Sequence, residues 1–76
     1  MNFYDKGEDT MKCNIGKYIE ESGLKRSFIA NKLGITGRHL VKYINGESYP
    51  PVPKLFLLAK LLNAKVDDLY EFEEEK

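Results

Sequence analysis

Arg38 and Lys42 stand four residues apart in a stretch without acids: residues 24–46 hold five Lys and Arg and no Asp or Glu. At that spacing two side chains share one face of a helix. An arginine so placed presents a planar fork of N–H donors that matches the O6 and N7 acceptors of guanine. A lysine one turn further on can reach a second guanine or a phosphate. Unopposed positive charge can also be a solvated helix face, but such faces ordinarily mix both signs. The stretch therefore fits a surface turned toward phosphates.

The formal net charge of the 76 residues is zero, which by itself argues against a polyanionic partner, but its distribution reverses that reading. Residues 12–65 carry ten Lys and Arg against three acids, a net of +7, while residues 1–11 sum to −2 and residues 66–76 to −5. The single histidine, His39, and the single cysteine, Cys13, are not part of any metal-ligand set, and Cys13 has no second cysteine to pair with. No metal or cofactor site is expected, and no catalytic set of nucleophile, base and inward carboxylates is recognisable. No apolar run approaches the roughly 18 residues of a membrane span, and no basic-then-apolar leader opens the chain. A reducing, cytoplasmic setting is expected. The length allows one small domain with one core.

The elements that must position Arg38 and Lys42 are read from residues 26–45, RSFIANKLGITGRHLVKYIN. Apolar residues fall at Phe28, Ile29 and Leu33, then at Leu40, Tyr43 and Ile44, helical spacings on both sides of Gly34. Ala30 is the small residue that lets two steeply crossed helices touch, and Gly34 tolerates a left-handed turn. This is the pattern of a helix-turn-helix, whose second helix usually lies in the major groove of DNA. On that helix Leu40, Tyr43 and Ile44 face inward, which leaves Gly37, Arg38, His39, Val41 and Lys42 outside.

Around this unit a first helix is expected over residues 14–21, with Asn14 as N-cap, an inner stripe of Ile15, Tyr18 and Ile19, and a stop at Ser22-Gly23. The second helix covers residues 26–33 without a side-chain cap. Thr36 caps the third, which ends at Asn45-Gly46. Pro53 suits the first turn of a fourth helix reaching residue 62, and residues 66–70 form a short fifth. The expected core is Ile19, Ile29, Ala30, Leu33, Leu40, Leu55, Leu58, Ala59, Leu62, Val66 and Leu69. Residues 1–11 show no periodicity and read as a disordered segment, residues 12–70 as the domain, and residues 71–76 as an acidic tail.

Residues 15–70 resemble the Cro-type (XRE, lambda-repressor-like) helix-turn-helix family in several pieces taken in order. These are IGKYIEESGLKRS, IANKLGIT, KYINGESYP and LLAKLLNAKVDDLY. The resemblance implies an all-α, five-helix DNA-binding domain with the helix-turn-helix at helices 2 and 3. It also implies base reading from the positions of Gly37, Arg38 and Lys42, with His39 near a base or phosphate. Gly37 departs from the family's long polar residue, and Arg26 stands where the family usually has glutamine. Phosphate contacts are expected from Lys25, Arg26 and Ser27 at the start of the second helix, where free N–H groups and the helix dipole favour an anion. Thr36 joins them, as do Asn45 and Gly46 through backbone N–H groups, with Lys32 and Lys54 as weaker candidates. Phe56, Leu57, Val66 and Asp67 are candidates for the dimer contact that such proteins make near their last two helices. A two-fold dimer would set two reading helices about one DNA turn, ~34 Å, apart.

The implied function is a small transcriptional regulator, of the repressor kind found in phages and mobile elements, that binds double-stranded DNA as a homodimer at a palindromic operator. A regulatory protein partner is compatible with it. The competing reading is an interaction adaptor or antitoxin-like module with weak DNA affinity, suggested by Gly37, the zero net charge and the EFEEEK end.

Overall fold

The computed structural model describes residues 11–72. In chain order these form β1 (Met11–Cys13), α1 (Ile15–Ser22), α2 (Arg26–Leu33), α3 (Gly37–Ile44), α4 (Val52–Leu61), α5 (Val66–Leu69) and β2 (Tyr70–Phe72). The five expected helices are present, mostly with the expected ends. Each contributes one completely buried aliphatic side chain to a common core: Ile15, Ile29, Leu40, Leu58 and Leu69. Burying five such side chains is the main force that assembles helices too short to persist alone. Around them lie Ile19, Ala30, Leu33, Tyr43, Ala59, Leu62 and Tyr70, also buried, with Leu55 and Val66 packed at the margin.

Local signals set the helix ends. Gly23 closes α1 in the left-handed region and its N–H donates to Glu20 O. Gly34 does the same for α2 at φ 72°, a conformation that costs a side-chain-bearing residue more than glycine. Thr36 is extended and its Oγ1 accepts the His39 N–H at 3.1 Å, so the expected cap of α3 is present. Pro53 is in the first turn of α4, where its missing N–H costs nothing. Helix α2 packs against α3 and α4, α4 against α5, and α1 against α3. The α1–α3 approach depends on Gly16, since a methyl group there would lie 3.1 Å from Ile44 Cγ2.

The expected all-α, five-helix fold is present, and two short strands accompany it: β1 and β2 pair antiparallel, with Met11 opposite Phe72, Lys12 opposite Glu71 and Cys13 opposite Tyr70. Four expectations need correction. Met11, expected to be aperiodic, is thus in a strand. The fifth helix stops at Leu69, and Tyr70, Glu71 and Phe72 continue as β2 rather than as last helical turn and tail. Residues 1–10 of the expected disordered segment and residues 73–76 of the expected tail lie outside the described residues. Asn14 does not cap α1 with its side chain; its Nδ2 donates instead to Asp68 O at 3.0 Å and Glu71 Oε2 at 3.2 Å, tying the start of α1 to the end of α5. Finally, Tyr70 belongs to the core, where it was not expected.

Candidate nucleic-acid interface

Helix α3 is divided sharply between two faces. Leu40 and Tyr43 are buried and Ile44 half-buried, while Gly37, Arg38, His39, Val41 and Lys42 are all exposed. Because Arg38 and Lys42 are four residues apart, the two cations lie on one side of the helix, backed by its buried side. No atom lies within 4 Å of where a Gly37 Cβ would be, so the first turn presents bare backbone at that point. His39 leans on Tyr43, their ring centroids 5.0 Å apart and tilted by 57°, which orients its imidazole along the helix. A helix so arranged can enter a groove with a guanidinium at its first turn and an ammonium one turn later.

The residues expected to frame α3 fall into two groups. Lys25, Arg26 and Ser27 are exposed at the start of α2, where no side chain caps the first N–H groups. Unmet N–H groups at the positive end of a helix, with two cations beside them, form a place suited to a phosphate. Thr36 is exposed as well, though its Oγ1 is already an acceptor for His39. At the far end of α3 the expectation fails. The Asn45 N–H donates to Val41 O at 2.9 Å and the Gly46 N–H to Tyr43 O at 3.2 Å, so neither is available to an anion. Those donors close the helix end instead. The Asn45 side chain remains at the surface, with Nδ2 3.5 Å from Glu47 Oε2.

The two weaker candidates differ in the same way. Lys32 is exposed, with its ammonium 5.5 Å from the centre of the Phe28 ring. Lys54 is half-buried and donates to Leu33 O at 2.8 Å, an intramolecular bond that turns it away from an outside phosphate. Sequence reading had also assigned no role to Cys13. Its thiol donates to Tyr43 O at 3.3 Å, joining β1 to the last turn of α3. Neither contact has a local signal, because the partners lie 21 and 30 residues apart. Beside Cys13 the Tyr70 hydroxyl is buried, and burial, followed by the nearby thiol, pushes its ionisation above the ordinary tyrosine range.

Of the candidates for a partner surface, Phe56 is 60% exposed and Leu57 39%, so both residues are outside the core. Asp67 is exposed and Val66 half-buried; both border an open cleft of about 340 Å³ together with Tyr49, Leu55 and Tyr70. Among the described residues no cluster of His, Cys, Asp and Glu could hold a metal ion, and no helix is long and apolar enough to cross a membrane.

A packed pair of helices, joined by a glycine turn and presenting a cationic second helix, defines a helix-turn-helix protein. The sequence pattern of that family matches residues 15–69, and the chain belongs to it, within the class of DNA-binding transcription regulators. It is similar to an uncharacterised HTH-type transcriptional regulator of Archaeoglobus fulgidus, 24% identical over 66 residues that span 87% of this chain and 94% of that protein.

Proposed function

We propose that the protein is a sequence-specific repressor, of the kind carried by phages and mobile elements. In this reading it acts in the cytoplasm as a homodimer on a palindromic operator, with α3 in the major groove. The observation that carries the reading is the two-faced α3: completely buried Leu40 behind it, and exposed Arg38 and Lys42 in front, within a stretch free of acids. Arg38 reads a guanine, Lys42 a second guanine or a phosphate, and His39 borders both. The α2 start, through Lys25, Arg26 and Ser27, holds the flanking phosphate, with Thr36 at the edge of the groove. Asn45 contributes through its side chain, and Gly46 contributes only by closing the helix. The dimer forms through Phe56 and Leu57, with Val66 and Asp67 beside them.

The test is selection of bound fragments from genomic DNA, followed by titration of the enriched site over a range of salt. A palindromic site whose affinity falls steeply with salt supports the reading. Arg38→Ala should weaken that site by about tenfold or more, the worth of one bidentate guanine contact, and relax the preference at a single base pair. Lys42→Ala should lower affinity and, where it meets phosphate, reduce the salt slope by about one. Unchanged binding by the double variant would remove α3 from the interface. A second reading, an adaptor that works through protein contacts, is favoured by the exposed Phe56 and Phe72; failure of the wild type to enrich any site would support it.

A further inference from the structure

The last turn of α2 leaves carbonyl oxygens without helical partners, and the turn to α3 uses two of them. The Ile35 N–H donates to Ala30 O at 3.0 Å and the Gly34 N–H to Asn31 O at 3.1 Å. Leu33 O receives its hydrogen bond from outside the motif, from Lys54 Nζ at 2.8 Å. Lys54 is in the first turn of α4 and half-buried, and Leu33 itself is 2% exposed. An ammonium at the negative end of a helix, bonded to a terminal carbonyl in a partly desolvated place, is held more firmly than an ordinary surface lysine.

Helices α2 and α4 pack together, and Leu33 of α2 and Leu58 and Ala59 of α4 belong to one buried apolar core. Apolar packing is non-directional and tolerates small sliding of one helix along another. A hydrogen bond to a single carbonyl does not. Leu33 O is three residues before Thr36, the cap from which α3 starts, and its carbonyl belongs to the turn that sets the angle between α2 and α3. Helix α4 also carries Phe56 and Leu57, two and three residues after Lys54.

We propose that Lys54 is a positioning residue for DNA reading. Its bond to Leu33 O fixes the turn on α4, and through the turn it fixes the direction in which α3 is presented relative to the helix that carries the candidate dimer contact. The inference rests on the DNA-reading function proposed above. It assigns to Lys54 no contact with DNA.

The experiment compares wild type, Lys54→Met and Lys54→Arg on the site enriched from genomic DNA and on random DNA of equal length, each over a salt range. Lys54→Met keeps the aliphatic stem and loses the donor; Lys54→Arg keeps a donor and the charge. The expected result is a loss of about five- to tenfold on the enriched site in Lys54→Met, the low end of the coupling typical between separate sites of a protein. Binding to random DNA and the salt slope should stay unchanged, and Lys54→Arg should recover part of the loss. A loss of mere foldedness would scale both DNAs alike. Equal loss on both, with the salt slope reduced by about one, would make Lys54 a phosphate contact and overturn the proposal. So would unchanged affinity. If Lys54→Met does not fold, the wild type decides. The Nζ resonance of Lys54 in 15N-lysine protein should show slowed proton exchange and should not shift on adding the enriched site, whereas a shift would overturn the proposal. No enrichment by the wild type would instead sink the DNA-reading function, and this role for Lys54 with it.

Discussion

Removing one oxygen atom with Tyr70→Phe is expected to stabilise the domain at neutral pH. Tyr70 is 8% exposed, and its hydroxyl is buried without a hydrogen-bond partner of good geometry. An unmet buried hydroxyl costs about 1–3 kcal/mol. The Cys13 sulfur nearby offers a weak interaction that recovers part of this, so a net gain of about 1 kcal/mol is expected. In a domain of this size that corresponds to a rise in melting temperature of about 4–8 °C. The gain should widen in alkali. Burial raises the Tyr70 phenol above its ordinary value, so in the unfolded chain it ionises near pH ~10 while in the folded chain it stays neutral. Between those two values the unfolded chain binds fewer protons, and stability falls as pH rises. A group with a raised folded pKa thus contributes fully below pH ~10 and loses its contribution above it, by at most about 1.4 kcal/mol per pH unit for one proton. Phenylalanine lacks that loss. Melts followed by circular dichroism at pH 7, 10 and 11 test both parts, because every other ionisable side chain is present in both wild type and variant. A variant that melts below wild type at pH 7 would show that the hydroxyl makes a useful bond, and a gap constant from pH 7 to 11 would show that its ionisation is not suppressed by folding.

Two further substitutions test the support of the reading helix. Thr36→Ala removes the oxygen that accepts the His39 N–H and should cost about 0.5–2 kcal/mol by thermal melting, with Thr36→Ser retaining most of the stability; equal melting of wild type and Thr36→Ala would remove the cap. Leu40→Ala empties a completely buried site and should cost about 2–5 kcal/mol, enough to leave so small a domain largely unfolded at 25 °C. Unchanged, cooperative melting of Leu40→Ala would place that residue outside the core.

The parts of this fold that were legible in the sequence are those governed by short-range rules. Ile15 and Ile19, Leu40 and Tyr43, and Leu58 and Leu62 repeat at helical spacing, and each pair is buried as the period requires. Gly34 and Thr36 could be placed because a left-handed turn and an N-cap each depend on a single residue and its immediate neighbours. The strands were not legible. Three residues are too few to show alternation, and MKC and YEF pair across 57 or more residues. Asn14 was misread for a related reason. An asparagine before a helix is locally a cap, but the carbonyl of Asp68, 54 residues away, offered its amide a partner that no local pattern announces.

The candidate interface shows the same division for charge. That a segment is basic can be counted along the chain, but whether a given donor is free depends on what the fold has already bound. Lys42 and Lys54 are alike in composition and unlike in place: one stands exposed on α3, the other has its ammonium 2.8 Å from Leu33 O. The N–H groups of Asn45 and Gly46 follow Lys54, committed within the chain, and the uncapped start of α2 follows Lys42. What remains available is therefore narrower than the run of positive charge: the outer face of α3 and the first turn of α2, with the exposed Lys32 at the other end of α2. Thr36, which caps the first, and Lys54, bonded to the end of α2, flank the turn that joins the two helices. The turn has a side-chain hydrogen bond on each side, and the relative direction of the two remaining donor groups is the quantity those bonds control.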